Sequence, residues 1–157
     1  MPAGCLVLTL RMDRTTAATT ALTLAGVATA LGLAAYETGP CTALAAAIPI
    51  ATVLIAAFMI VPRYAVVQGD ELLLVAPART VELKIQRVLG TTDLTLRHAH
   101  RLHGIGGFLG YVGTYKVKGI GKCKVYSRRR KRLTVLETPE GTVLVGIDPE
   151  ALGGATA

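Results

Sequence analysis

The densest candidate chemistry in this 157-residue chain is cationic and lies between Arg101 and Arg132. Arg128, Arg129, Arg130, Lys131 and Arg132 are consecutive. Like charges so close repel, so the run must be solvated or matched to anions. Its place between two alternating segments predicts a hairpin tip. Lys116, Lys118, Lys122 and Lys124 alternate just before it and would extend the patch along one face of adjoining strands. The simplest partner for such a surface is an anionic lipid headgroup, at ~1 kcal/mol per cation close to the bilayer. Nucleic acid is not expected. The helical readers are missing, and few aromatics, chiefly Phe108, Tyr111 and Tyr115, stand nearby for stacking.

Three histidines, His98, His100 and His103, form the one cluster that resembles a metal site. On a strand His98 and His100 would share a face, and His103 could fold back across a turn. No Asp, Glu or Cys within a few residues completes a tetrahedral set, apart from distant Asp93. A metal-binding or metal-dependent role is therefore only a remote alternative, and no metal or cofactor is expected. Catalysis is not expected either. Ser127 is the chain's single serine and stands in no nucleophile elbow, and Cys123 has no base partner in sequence. Gly104-Ile-Gly106-Gly107-Phe-Leu-Gly110 fails the dinucleotide pattern, because Leu109 stands where the third glycine belongs. Those glycines read instead as bends of a small barrel.

What must position these residues is partly a membrane. Of the residues, 52% are hydrophobic and the mean hydropathy is +0.51, both high for a soluble chain. The net charge of +7 belongs to residues 63–157, since Arg11 and Arg14 balance Asp13 and Glu37 before them. Residues 15–36 and 42–61 carry no charge, and each run is long enough to cross a hydrocarbon core of ~30 Å at ~1.5 Å per residue. Glu37-Thr38-Gly39-Pro40 is a turn between them, so 15–62 reads as a transmembrane helical hairpin, with Pro49 expected to kink its second span. Arg11, Arg14 and Arg63 flank the outer ends and the turn has no cation, which places both termini in the cytoplasm of a multi-pass protein of the plasma or inner membrane. Small residues spaced by four, Gly26 with Ala30 and Ala28 with Gly32, would let a neighbouring helix approach. Cys5, Cys41 and Cys123 show no pair spacing, so neither a disulfide framework nor a zinc ribbon is expected.

Residues 1–14 are a strand or a tail, since Leu6, Leu8 and Leu10 alternate. From residue 63 on, seven or eight short strands at roughly ten-residue spacing predict a small antiparallel sandwich or barrel. The clearest pieces are hairpins at Gly69-Asp70 and at Pro139-Glu140-Gly141, an alternating Thr80–Ile85, and an alternating Thr91–Arg97. Asp148-Pro149-Glu150 opens a helix that Gly153-Gly154 stops almost at once.

From Pro62 to Ala151 the chain resembles the bacterial pleckstrin-homology-like domains of small membrane proteins. The carriers are Pro62-Arg-Tyr64, Ile85 with Val88, and above all the glycine-aromatic motif Arg101, Gly104, Gly107, Phe108, Gly110, Tyr111 and Gly113. Gly121, Tyr126 with Arg128, and Ile147-Asp-Pro-Glu150 complete it. The resemblance implies two stacked antiparallel sheets normally closed by a C-terminal helix, of which this chain has little or none. It brings no catalytic residues. The expected class is thus an α+β membrane protein: a two-helix transmembrane hairpin followed by a PH-like β domain over 63–157. Its expected role is a cytoplasmic binding or assembly module whose partners are the lipid bilayer and its anionic headgroups. A homo-oligomeric membrane scaffold, or a module that holds a membrane-protein partner, is the alternative.

Overall fold

The structure is a computed structural model, and it describes residues 6–94 and 99–152. Helix α1 (Arg14–Thr38) begins where Asp13, in an extended conformation, accepts the Thr16 amide at 2.7 Å. That side chain satisfies one of the helix's orphan N–H groups. Along α1, Thr19, Thr20, Thr23 and Thr29 return their hydroxyls to the carbonyl four residues back. A polar residue can then lie on an apolar helix without an unpaired donor. Gly39 alone, at φ 93°, separates α1 from helix α2 (Pro40–Ile60), which opens on a proline with no N–H to lose. The two helices touch along their length and run antiparallel. Both are long and apolar enough to cross a membrane, with mean hydropathy 1.6 and 2.5, and nearly all of their surface is uncovered by protein. α2 continues through Pro49.

The rest of the chain makes two sheets. β1 (Leu6–Thr9), β2 (Tyr64–Gln68), β3 (Glu71–Val75) and β4 (Thr80–Lys84) form an antiparallel meander in that order. The six-stranded sheet runs β5 (Arg87–Thr92), β9 (Leu133–Thr138), β10 (Gly141–Val145), β8 (Gly121–Ser127), β7 (Tyr111–Val117) and β6 (Ala99–Gly106). Among the described residues, a PH-like domain of ten strands in two sheets thus takes β1 from before the two apolar helices and nine strands from after them, and a four-residue helix α3 (Pro149–Leu152) ends it.

Several local expectations need correction. Among the described residues the strands number ten rather than seven or eight, because the leading alternation is a strand and the glycine-rich segment contains one. β1 pairs with β2 from Leu6↔Val67 to Thr9↔Tyr64. β6 was obscured by glycine, a poor strand former on composition alone. The strand expected at 91–97 begins earlier, at Arg87, and residues 95–98 lie outside the described ones. The sandwich is not wholly antiparallel. β10 lies parallel to β8, Val143 beside Lys124 and Val145 beside Tyr126. Strands β8 and β9 are therefore not neighbours, and the chain between them is a crossing connection instead of a hairpin tip.

The six-stranded sheet is buried on both faces near its centre. One face, with Leu136, Val143 and Val145, packs against Ala65, Val67, Leu72, Leu74 and Leu83 of the meander. The other, with Leu133, Val135, Leu144, Val125, Val117 and Tyr115, makes a second core as the sheet curls over itself. A strand covered on both sides loses its polar alternation, and Leu133-Thr134-Val135-Leu136 are all buried. The hydroxyl of Thr134 is satisfied there by the Ile147 carbonyl at 2.5 Å. In place of a long closing helix, Leu10 and Leu152 cap the first core beside Ile147, both of them buried.

Candidate functional site

The basic run sits where the helices meet the domain. Arg128 donates to the Leu10 carbonyl at 3.4 Å, and its Nε is buried without a partner. Burial, with the Arg63 charge nearby, pushes its guanidinium below the usual arginine range, while Tyr64 acts the other way. Arg129 grips both oxygens of Asp148 at 3.0 and 3.4 Å and reaches the Arg132 carbonyl at 2.7 Å. Hydrogen bonding to Arg129 holds the Asp148 carboxyl below the ordinary carboxylate range, against a smaller effect of burial. Arg130 donates its amide to Asp13 Oδ2 at 2.8 Å and its Nε to the Leu94 carbonyl. Arg132, at φ 54°, donates its amide to Asp93 at 2.7 Å. So the five cations are not a uniformly solvated tip. Arg128, Arg129 and Arg130 turn inward, and only Lys131 and Arg132 stay exposed.

Asp13 thus serves two segments, capping α1 with one oxygen and fixing Arg130 with the other. Burial raises its carboxyl, but hydrogen bonds from Thr16 and the Arg130 amide, with the Arg130 charge, outweigh that and lower it overall. Ser127 has a similar structural post. Its hydroxyl donates to the Arg129 carbonyl at 2.7 Å and accepts the Arg129 amide at 3.0 Å, folding the chain over at the end of β8.

The lysines lie elsewhere. Lys116 stands directly opposite Lys122, and Lys124 opposite Thr114, so these three share the outward face of β7 and β8. Lys118 lies in the turn at the far end of those strands. Lys124 pairs with Glu140 at 2.8 Å on the surface, which raises the lysine and lowers the carboxyl. Of the histidines, His98 is outside the described residues. His100 and His103 are exposed on β6, where the register shift around Leu102 puts both on one face. Among the described residues no group of His, Cys, Asp or Glu is placed to hold a metal ion.

The glycine-aromatic segment is the β6–β7 hairpin. Gly104 and Gly113 face each other across the strands, at φ 114° and 145°. A Cβ on either would overlap the other's backbone, so glycine is required there for conformation and for space. The hairpin leans on the first helix. Leu109, at φ 59°, donates its amide to the Thr20 hydroxyl at 2.9 Å, and Gly107 faces the Thr19 methyl. Gly110 is buried between the Ser127 carbonyl and Val61, where α2 gives way to the domain.

Between that hairpin and α1 lies a cavity of about 400 Å³. Arg101 and Arg130 provide its charge, Thr15 and Thr19 its α1 side, and Tyr111 and Tyr115 its wall. Tyr115 donates to the Ile105 carbonyl at 3.0 Å. Burial pushes its phenol up to about 12, against the Arg101 charge that favours ionisation. Burial likewise pushes the Cys123 thiol up to about 11, so it is no nucleophile at neutral pH.

Sequence reasoning missed Asp13, Thr15, Thr19 and Thr20 as site residues, because nothing local links them to positions about a hundred residues away. The flanking arginines were the available signal. Arg63 was visible as a span flank, and the structure places its guanidinium 3.8 Å over the Phe58 ring and close enough to Arg128 to shift it. No curated protein and no solved structure matches the chain. The family model described as Bacterial PH domain matches residues 66–154, more than half of the chain. With two sheets built mostly from the strands that follow two apolar helices, this chain belongs to the bacterial PH domain family.

Proposed function

We propose that this chain is a membrane-anchored, cytoplasm-facing PH-like module that binds rather than catalyses, and that its basic underside rests on an anionic leaflet. The observation that carries this reading is the gathering of guanidinium groups at the junction of helices and domain. Arg63 follows α2, Arg14 opens α1, Arg101 comes from β6, and Arg128 and Arg130 follow β8. In the bilayer these groups lie at the level of the headgroups, each favoured there by ~1 kcal/mol. Phe58 and Tyr64, both largely exposed beside Arg63, suit the same aromatic and cationic interface. Orientation follows from the turn between the spans, which holds Glu37 and no cation. Lys124, Lys122, Lys116 and Lys118 run up the side of the domain, and their pull on the leaflet fades towards Lys118 beyond roughly a Debye length of ~8–10 Å.

The test uses the full chain in bilayer discs of neutral or of mixed neutral and anionic lipid, at low salt. Amide hydrogen exchange over 106–110 and 128–132 should slow in the anionic discs and return to the neutral value at high salt. Equal exchange in both lipids at low salt would overturn the reading.

A further inference from the structure

We propose that the cavity between α1 and the β6–β7 hairpin is a headgroup pocket that holds the phosphate of one anionic phospholipid from the surrounding leaflet. The inference rests on the membrane-anchored reading and makes it specific to one site. Three features of the cavity carry it.

The first is charge. Among the described residues, Arg101 and Arg130 both line the cavity and no carboxylate does. Arg101 makes neither an ion pair nor a hydrogen bond to any described residue. The Nε of Arg130 is held by the Leu94 carbonyl, and its terminal nitrogens have no described partner. Asp13, which holds Arg130 from the start of α1, has both oxygens engaged by backbone amides, of Thr16 and of Arg130. Two guanidinium forks without carboxylates invite an oxyanion, and their planar donors match phosphate geometry. The Tyr111 and Thr15 hydroxyls add neutral donors at the rim, whereas that of Thr19 is already given to the Thr15 carbonyl.

The second is construction. Gly106 does not have a positive φ, yet a Cβ there would lie 2.6 Å from the Tyr115 hydroxyl and 3.4 Å from the Arg101 guanidinium. Glycine at this position leaves the room in which Arg101 lies across the hairpin. The register shift at Leu102 brings Arg101 opposite Tyr115, on the inner side of the sheet. Leu94, Ala99 and the Tyr115 ring belong to the second core and give the cavity an apolar floor. Cationic mouth and apolar floor suit a molecule that is itself a phosphate on a hydrocarbon stem, and the volume falls in the ~300–1,000 Å³ range of small-molecule sites.

The third is depth. α1 has 25 residues and α2 has 21, and a single residue joins them. At ~1.5 Å per residue α2 matches the ~30 Å hydrocarbon core, so the extra turn of α1 projects beyond it into the headgroup layer. Thr15 and Thr19 belong to those first turns. The cavity therefore opens at the level where lipid phosphates lie, which favours a lipid over a soluble phosphate.

Native mass spectrometry of the full chain, released from discs of equal neutral and anionic phospholipid, tests the assignment. The wild type should retain one anionic lipid. Arg101→Gln should weaken that retention at least tenfold, since a charged hydrogen bond of roughly 1.5–3 kcal/mol is lost. Arg101→Lys should restore only part of it, because the fork is gone. Lys84→Gln, on β4 in the other sheet and outside the cavity lining, should change nothing. Equal retention of neutral and anionic lipid, or undiminished retention by Arg101→Gln, overturns the pocket. Displacement of the lipid by millimolar glycerol phosphate or inorganic phosphate overturns the lipid as its source. Should Arg101→Gln fold poorly, Arg130→Lys gives the second reading, because it keeps charge and stem while losing the fork. The exchange experiment on the basic underside is independent. If Arg101→Gln retains the anionic lipid undiminished while exchange still slows in anionic discs, the pocket fails and the broader reading stands.

Discussion

The Leu109 amide and the Thr20 hydroxyl meet at 2.9 Å, linking a β-hairpin tip to the second turn of a helix 89 positions earlier. Thr20 also donates to the Thr16 carbonyl, so its hydroxyl works as acceptor and donor at once. Thr20→Val removes the acceptor and leaves a partly buried amide unpaired, a loss of about 1–3 kcal/mol. Hydrogen exchange should speed up at 106–110 first. Thr23→Val, whose exposed hydroxyl returns only to its own helix, should leave that segment unchanged.

Gly113→Ala should be among the most damaging small changes. It forces a side chain into positive φ and into the backbone of Gly104, and such strain costs roughly 1–3 kcal/mol before the clash is counted. Gly26→Ala is the contrast. Nothing lies within 4 Å of a Cβ there, and the helix should gain up to ~1 kcal/mol. Paired thermal melts in detergent would show the difference.

Acid should loosen the joint between helix and domain. Asp13 and Asp148 are both lowered in the folded chain, so each contributes stability that is present above its unfolded value and lost as pH falls through its folded one. Melting temperature should therefore drop as pH falls below about 4. In Asp13→Asn the melting temperature at pH 7 should be lower and the drop shallower. An unchanged slope in that variant would exclude Asp13 as a source of it.

The cysteines report topology. Cys123 is buried with its thiol raised to about 11, whereas Cys41 is exposed at the start of α2. In a Cys5→Ser background, a membrane-impermeant maleimide should label Cys41 in right-side-out vesicles and not in sealed inverted ones. Cys123 should react only after unfolding. Labelling of Cys41 in inverted vesicles alone would reverse the orientation.

How much of this was legible in the sequence depends on range. The apolar runs, the Gly69-Asp70 hairpin and the Pro139–Gly141 hairpin were readable because each signal lies within a few residues. The parallel pairing of β8 with β10 was not, since register between distant strands leaves no local trace. For the same reason Arg128 to Arg130 looked like solvated charge. Their partners are Leu10, Asp148, Asp13 and Leu94, up to 118 positions away. The cavity was invisible for a further reason. Thr15 and Thr19 read as ordinary residues of an apolar span, and only the hairpin leaning on α1 gives them a neighbour.

On the membrane-anchored reading proposed above, the pairing of β1 with β2 also makes the bilayer part of the chain's own wiring. β1 is synthesised before the first span and β2 after the second, and they join from Leu6↔Val67 to Thr9↔Tyr64. A chain with only one span inserted would strand these partners on opposite sides of the membrane. The meander would then keep a bare edge along β2, open to proteases and to other chains. Completion of the sheet then distinguishes a helical hairpin inserted whole from one with a single span inserted.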